Sequence, residues 1–263
     1  MPIQTAMLAA GRHPRNSAVS ANETIVGQIY TVSEKSIKAV VKSLTPRQIA
    51  NELIASTILE KLGLPTPRSF LVFAEVDENF GAQAPIHENG MYMYFASEWK
   101  PYKCLIDWAG GNDSAVFTII NGYVDWGKIV GFDEWIAYGD RHFRNFLYDG
   151  TTLYVFDHDL CLSGDCWTPA GLDPERLYPC HKRTTQTHLQ MPETKRLAAA
   201  TLAGVIEAAA RSIDLEAVLA ESLASEVGND IPQDLPAARN FLEQRIPHIA
   251  RLCALRLGVG GLA

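Results

Sequence analysis

The sequence GDRHFRNFLYDGTTLYVFDHDL, from Gly139 to Leu160, decides the fold of this chain, because it joins a polar loop to a predicted β-hairpin. The predicted strands are Asn145 to Tyr148 and Leu153 to Phe156, and Asp149-Gly150 supplies the tight turn between them. Polar residues stand immediately before and after this hairpin, so the sequence predicts one small unit that gathers several side chains with oxygen ligands.

Three of these side chains have the spacing of a phosphoryl-transfer site. Asp140 and Asn145 are five positions apart in the pattern D-x-x-x-x-N, and Asp157 directly follows the second strand. Magnesium takes few protein ligands and completes its shell with water and phosphate oxygens, so one carboxylate and one amide form a suitable pair. In protein kinases a loop Asp orients the substrate hydroxyl, a loop Asn binds metal, and an Asp on the next hairpin bridges metal and phosphates. The alternative is that these residues only cap turns.

A second block upstream predicts a strand followed by a helix. The segment SIKAVVKSL alternates in polarity and is rich in Val and Ile, which predicts a strand ending near Lys42. Thr45 is followed by a proline and then by Gln48, which predicts a capping box worth about 1 kcal/mol to the helix start. The run GLPTP, beginning at Gly63, ends the predicted helix.

Contacts to a nucleotide are predicted from both parts of this block and from the strand MYMYFAS. Glu52 lies ten residues after Lys42, so an ammonium group on the strand can meet a carboxylate on the helix over the phosphates. An exposed pair of this kind would contribute little to stability. Lys38 shares a strand face with Lys42 and is the competing lysine. Ser97 and Glu98, at the end of MYMYFAS, are predicted to offer backbone groups to an adenine ring.

These residues resemble the HipA-like family of bacterial kinases in its short single-module form, and more distantly the phosphatidylinositol kinases and protein kinases. The resemblance rests on VVKSLTPRQIANELIASTILEKLGLPTPRSFLV and FDEWIAYGDRHFRNFLYDGTTLYVFDHDL and covers residues 25 to 165. It implies ATP and Mg²⁺ as cofactors. It also implies roles for individual residues, with Lys42 contacting phosphate, Glu52 as its partner, Asp140 as the catalytic Asp, and Asn145 and Asp157 as metal ligands.

Several positions depart from the kinase pattern. No glycine-rich phosphate loop of the protein-kinase type is visible, and cover for the phosphates is predicted from residues 15 to 20. DHD replaces the usual D-F-G, which leaves Asp157 and Asp159 as rivals for the metal; Asp157 is favoured because it directly follows the strand. His142, in the D-R-H signature, is a proton acceptor or a brace for the loop, since imidazole titrates near neutrality.

The sequence predicts an α+β, bilobal, protein-kinase-like fold. Residues 1–98 are expected to form an N-lobe of a small antiparallel sheet with one main helix, and residues 99–263 a mostly helical C-lobe. Within the first lobe, residues 1–24 read as an irregular entry. Within the second, 164–190 read as a polar loop and 192–257 as three helices.

Composition narrows the class of protein. Among 263 residues the net charge is −7, which argues against a nucleic-acid-binding surface because such surfaces are basic. The chain shows no signal leader and no long uncharged apolar run, so no membrane span and a cytoplasmic location are expected. Five cysteines fit reduced thiols. Cys161, Cys166, Cys180 and His181 are an alternative zinc cluster, although they lack a C-x-x-C pair.

Two classes of function follow from these residues. The first is an Mg-ATP-dependent phosphotransferase acting on a Ser or Thr hydroxyl of a protein, or on a small-molecule or lipid alcohol. The second is a nucleotide-binding module without chemistry that works through a protein partner, and a regulatory partner is compatible with either class. All the expected catalytic residues are present, which favours the active enzyme.

Overall fold

The computed structural model describes residues 2–9, 13–14, 22–34, 36–75 and 80–259. Strands dominate the first part of the chain and helices the second, which confirms the α+β class. The strands are β1 (Gln4–Leu8), β2 (His13–Pro14), β3 (Thr24–Tyr30), β4 (Ile37–Lys42), β5 (Ser69–Ala74), β6 (Tyr92–Glu98), β7 (Lys103–Cys104), β8 (Phe146–Tyr148) and β9 (Leu153–Val155). The helices are α1 (Pro46–Lys61), α2 (Leu105–Trp108), α3 (Asp113–Gly122), α4 (Trp126–Trp135), α5 (Lys182–Gln190), α6 (Glu193–Ala210), α7 (Leu215–Glu221), α8 (Ile231–Arg245) and α9 (Ile249–Leu257).

Five of the first six strands close into a barrel. The order is β1-β5-β6-β4-β3-β2, and β1 also pairs with β3. The pairing of β1 with β5 is parallel, with Gln4 opposite Phe70, whereas the other pairings are antiparallel. The predicted simple antiparallel sheet is therefore wrong, and so is the irregular entry over residues 1–24. Local sequence patterns do not show a short strand whose parallel partner lies far along the chain.

Apolar side chains fill the barrel on alternate positions of its strands. Ile29, Val41 and Val72 are completely buried, and each such side chain contributes about 1.5–3 kcal/mol relative to an exposed one. Within this cluster Phe80 stacks on Tyr94 at a ring-centroid distance of 5.0 Å. The barrel therefore has its own core and holds the end of β4 in place.

Helix α1 begins and ends where the sequence predicts. Thr45 accepts a hydrogen bond from the Gln48 backbone and donates its own N–H to the Gln48 side chain, so the capping box is confirmed. Gly63 follows the helix with a φ of +66°. All residues from 48 to 59 are buried, because one side of the helix packs on the barrel and the other on the helical part of the chain. This helix is therefore fixed between the two.

The helical part is organised around α4, α6 and α9. Gly127 lets α4 approach α6 closely, since a Cβ there would lie 2.2 Å from the Ala199 carbonyl oxygen.

Two predictions for the helical part are wrong. The segment 164–190, predicted as a loop, contains α5; its buried residues Thr184, Thr187 and His188 are polar, so the sequence shows no apolar periodicity there. The segment 192–257 contains four α-helices instead of three. No helix within the described ranges is long and apolar enough to cross a bilayer.

The predicted hairpin is confirmed as β8 and β9, and β7 joins it in a three-stranded sheet. The Asp149 carboxylate shapes the turn by accepting hydrogen bonds from the backbone N–H groups of Thr151 and Thr152 at 2.9 and 2.8 Å. The Val155 N–H donates to the Pro65 carbonyl at 2.9 Å. The hairpin is thus tied to the loop that follows α1.

Candidate functional site

Lys42, Glu52 and Asp157 meet where β4, α1 and the end of β9 come together. Lys42 Nζ lies 2.6 Å from Glu52 Oε1 and forms a second ion pair with Asp157. Glu52 is 1% exposed and Lys42 9% exposed, so this is an interior ion pair. The rival Lys38 is exposed, with its Nζ 3.8 Å from the centroid of the Trp99 ring. Of the two lysines, the structure therefore brings only Lys42 to the other predicted site residues.

The charges at this junction stabilise one another. Burial by itself would lower the pKa of Lys42, but Asp157 and Glu52 raise this pKa above its ordinary value, so the ammonium form is retained. Burial would raise the pKa of Glu52, yet Lys42 and His158 lower it to about 2. The pair is therefore fully ionised near neutral pH, as a group that neutralises phosphate charge has to be.

Helix α1 also holds the DHD segment. The second oxygen of Glu52 accepts a hydrogen bond from the His158 N–H at 2.8 Å, and Asn51 Nδ2 donates to the Asp159 carbonyl at 2.8 Å. Gln48 Nε2 donates to the Asp159 carboxylate at 3.2 Å. From the sequence, Gln48 was predicted only as a capping residue and Asn51 was not singled out, although polar side chains inside an otherwise apolar buried helix are a signal for buried partners.

The structure distinguishes the two aspartates of the DHD segment. Asp157 has the left-handed φ of +67°, and its carboxylate is 33% exposed beside Lys42. The Asp159 carboxylate is nearly buried and accepts hydrogen bonds from Asn22 at 2.9 Å and from Gln48. Burial raises the pKa of Asp159 to about 7, against the lowering effect of Lys42. The Asp157 carboxylate is the more accessible of the two, which favours Asp157 over Asp159 as the metal ligand.

Arg141 fixes the loop that carries Asp140 and Asn145. Its guanidinium, 1% exposed, makes two hydrogen bonds to the Asp133 carboxylate on α4, at 3.0 and 2.8 Å. The same group donates to the carbonyls of Asn145 and Phe156 at 3.2 and 3.0 Å. Asp133 escaped the sequence analysis, but a buried arginine requires a buried acceptor. Arg141 therefore joins α4, the loop and the strand before Asp157.

The Asn145 side chain is oriented by its neighbours. Its Nδ2 donates to the Tyr138 hydroxyl at 2.7 Å and to the Asp140 carbonyl at 3.1 Å. Tyr138 in turn donates its hydroxyl hydrogen to the Asp157 carbonyl at 2.5 Å. Burial raises the pKa of Tyr138 well above its ordinary value, so the phenol keeps this hydrogen. With Nδ2 engaged twice, the amide oxygen of Asn145 is the atom left for a ligand.

Asp140 and His142 lie side by side, with His142 Nε2 3.8 Å from Asp140 Oδ2. His142 Nδ1 accepts a hydrogen bond from the Arg144 N–H at 3.2 Å, so its neutral form carries the hydrogen on Nε2. Burial lowers the pKa of His142, partly opposed by Asp140. An imidazole whose acceptor nitrogen is already engaged braces the loop better than it accepts a proton. The Asp140 carboxylate is 41% exposed and lines a cleft with Gly139 and His181.

Ser97 and Glu98 lie at the end of β6. Ser97 lines the same small cavity as Lys42 and Asp157. The Glu98 carboxylate pairs with Arg68 at 2.9 Å and with Lys100 at 3.1 Å, and its N–H donates to the Arg68 carbonyl at 2.7 Å. Contact of Ser97 and Glu98 with adenine stays a prediction. Residues 15–20, predicted to cover the phosphates, lie outside the described residues.

The donor set suits a hard divalent cation. Asp157 offers a carboxylate and Asn145 an amide oxygen, and the Tyr138 hydroxyl joins the backbone of one to the side chain of the other. Within the described part of the chain, no three His, Cys, Asp or Glu side chains converge in a way that could hold a metal ion. A metal at this place would therefore depend on one carboxylate, Asn145, water and the oxygens of a bound phosphate.

Comparison with known proteins supports the fold. No family model and no curated protein sequence matches the chain. Among solved structures, the crystal structure of the Helicobacter pylori proinflammatory kinase CtkA is similar, with a TM-score of 0.54 and 14% identity over 96% of this chain and 97% of that one. This chain has a kinase-like fold. The CtTel1 dimer also aligns, at 12% identity over 95% of this chain and 12% of that one, but its TM-score of 0.43 bears no weight.

Proposed function

We propose that this protein is an Mg-ATP-dependent phosphotransferase of the HipA-like kind, which transfers the γ-phosphate of ATP to a hydroxyl group, with a Ser or Thr of a protein as the first acceptor class. The observation that carries the proposal is the meeting of Lys42, Glu52 and Asp157 in one ion-paired group, beside a loop that presents Asn145 and Asp140. The likeness to a solved kinase supports it at the level of the fold.

In this proposal the barrel with α1, residues 1–98, is the N-lobe and residues 99–263 are the C-lobe. Lys42 neutralises charge on the α- and β-phosphates, and Glu52 keeps the ammonium in place. When nucleotide binds, Lys42 exchanges its contact with Asp157 for phosphate oxygens, which frees that carboxylate. Asn145 and Asp157 would hold Mg²⁺, and the metal would supply charge neutralisation to the phosphates.

Asp140 orients the attacking hydroxyl of the acceptor. Its carboxylate is partly exposed and borders an open cleft, so an alcohol can reach it from solvent. His142 holds the loop through its contact with the Arg144 N–H. A fixed carboxylate of this kind supplies orientation and charge stabilisation in the transition state, where catalysis of phosphoryl transfer chiefly resides.

The test is calorimetric titration of ATP into the purified protein with and without magnesium. We expect binding that magnesium strengthens by at least about tenfold, since the metal joins the carboxylate to the phosphates. Asp157→Asn should lose the effect of magnesium but keep the fold, because asparagine tolerates the left-handed φ of this position. Asp149→Asn makes the same chemical change at the exposed hairpin turn and should bind as the wild type does.

One result would contradict the proposal, and another would change the residue that holds the metal. Absence of ATP binding to the folded wild type would remove the nucleotide site altogether. Magnesium-dependent binding and γ-phosphate transfer that survive in Asp157→Asn would move the metal role to Asp159, and Asp159→Asn would then be the variant that loses them.

A further inference from the structure

A second cavity lies behind the candidate site. It has a volume of about 350 Å³ and is enclosed by the C-terminal half of α1, the loop Gly63–Arg68 and the beginnings of β1 and β5. Its walls are mainly apolar and come from Ile3, Leu64, Pro65, Pro67, Phe70 and Tyr154. The mechanism proposed above uses none of these residues. The volume falls within the range of about 300–1,000 Å³ that is typical of small-molecule sites in proteins.

The polar groups of this cavity define the ligand that it fits. Ser56 and Ser69 both line the cavity, and the Ser69 hydroxyl donates to the Ser56 hydroxyl at 2.9 Å. The guanidinium at the rim, that of Arg68, is already paired with Glu34 at 2.5 Å and with Glu98 at 2.9 Å. An anionic ligand would therefore have to break an existing ion pair, and a cation would gain little from the Glu60 carboxylate of the lining, because that residue is exposed to water. An uncharged ligand needs only the apolar walls and one hydrogen bond to a serine.

Three contacts connect the walls of this cavity to the candidate site. Ser56 lies one helical turn after Glu52 on α1, and it lines both the cavity and the small space around Lys42, as do Thr66, Pro67 and Ser69, so the two spaces share a wall. Arg68 is bonded to Glu98 at the end of β6. The loop that forms the cavity floor accepts the Val155 N–H, two residues before Asp157, at its Pro65 carbonyl.

From these contacts we propose that the cavity is a regulatory site for a flat, uncharged, mainly apolar small molecule, and that its occupancy changes nucleotide affinity at the Lys42 site. The regulatory part rests on the proposed function, whereas binding to the cavity does not. A ligand that fills this space sets the positions of α1, the end of β6 and β9 together, and each of these carries a predicted contact with the nucleotide.

The test of binding uses N-phenyl-1-naphthylamine, an uncharged aromatic probe whose fluorescence rises in apolar surroundings. We expect one saturable equivalent. Gln4 lines the cavity, so the indole of Gln4→Trp should fill part of it and weaken probe binding by about tenfold or more. Thr5→Trp is the matched control, because the next residue of β1 is exposed and points to the opposite face. If Gln4→Trp does not fold, Glu60→Trp blocks the cavity from α1, because Glu60 is exposed and lines the cavity but not the small space around Lys42.

Probe binding that does not saturate, or that Gln4→Trp and Glu60→Trp leave unchanged, would overturn the proposed site. If ATP displaces the probe and Gln4→Trp does not change probe binding, the probe binds in the nucleotide cleft. This result would also overturn the proposal.

The test of regulation measures ATP affinity with and without saturating probe. The expected change is about fivefold or more, and ATP must change probe affinity by the same factor, because coupling between sites is reciprocal. Equal ATP affinity in both conditions would refute the regulatory role. Loss of all ATP binding in folded protein that still binds the probe would instead refute the proposed function.

Discussion

Removing the charge of Glu52 should destabilise the protein by about 3 kcal/mol near neutral pH, and this difference should disappear in acid. The Glu52 carboxylate is 1% exposed, accepts hydrogen bonds from Lys42 and from the His158 N–H, and has its pKa lowered from 4.5 to about 2. One pKa unit corresponds to about 1.4 kcal/mol, so this lowering contributes about 3 kcal/mol when the group is ionised.

An independent estimate agrees with this magnitude. Removing one member of a buried ion pair costs about 3–5 kcal/mol, because the other charge stays buried. Glu52→Gln keeps an oxygen that can accept from the His158 N–H, and Lys42 keeps its second partner Asp157, so the lower end of that range applies.

The pH dependence has a definite sign. A carboxyl group with a lowered pKa in the folded state stabilises the protein above its unfolded pKa of 4.5, and this contribution is lost as the pH falls toward 2. The free energy of unfolding of the wild type should therefore converge on that of Glu52→Gln through this interval. In the variant, this part of the pH dependence should be absent.

The assay is urea unfolding followed by circular dichroism, at a series of pH values, in metal-free buffer. Glu243→Gln, at an exposed position of α8, is the matched control and should change the free energy of unfolding by no more than about 0.5 kcal/mol. A loss below about 1 kcal/mol for Glu52→Gln at neutral pH, or a constant gap at every pH, would refute the assigned ion pair.

Three further predictions concern the loop and the packing beneath it. Arg141→Lys should lower the free energy of unfolding in urea by about 2–4 kcal/mol, because one ammonium nitrogen cannot bond to the Asp133 carboxylate and to both carbonyls at once. Arg144→Lys in the same loop is the control and should change this free energy by no more than about 0.5 kcal/mol. Similar losses for both variants would contradict the role of Arg141. Asp140→Asn should lower kcat for γ-phosphate transfer by about 10²–10⁴-fold. The ATP affinity, measured by calorimetry, should stay within about threefold of wild type. A large loss of affinity would show that Asp140 holds the nucleotide. Gly127→Ala should lower the thermal stability, because its Cβ would lie 2.2 Å from the Ala199 carbonyl oxygen. Gly204→Ala, whose Cβ would have no atom within 4 Å, should raise the stability by about 1 kcal/mol. Equal effects of the two changes would mean that α4 and α6 can move apart freely.

Local patterns in the sequence carried much of the fold. The capping box at Thr45 and Gln48 specifies the start of α1 by contacts within four residues, and the Asp149-Gly150 turn specifies the β8–β9 hairpin in the same way. Elements of this kind are visible because their decisive interactions are close in sequence.

Non-local contacts explain what the sequence did not reveal. The strand β1 depends on a parallel partner, β5, and on a second partner, β3, so neither a turn nor a long apolar run marks it. Helix α5, with the polar sequence KRTTQTHLQ, is stabilised by burial of Thr184, Thr187 and His188 against the rest of the chain. Tertiary packing of this kind overrides local propensity.

The same distinction applies to the candidate site. The spacing from Asp140 to Asp157 identifies one local unit of loop and hairpin, in which Asp157 pairs with Lys42 and the Asn145 amide donates to the Asp140 carbonyl. Asn51 and Asp133 escaped notice, since their partners lie on other elements. The roles assigned to Ser97 and Glu98 at the adenine ring remain predictions.

Closure of the barrel limits how a protein substrate could be recruited. Many binding proteins capture an extended peptide by adding it to the exposed edge of a sheet, where unpaired backbone groups are available. In the described residues, each of the five barrel strands has neighbours on both sides, and the strands that end a sheet, β2, β7 and β9, are only two or three residues long. An acceptor peptide would therefore be recognised by side-chain and loop contacts on the helical part of the chain, so its specificity should lie in residue chemistry and not in backbone pairing.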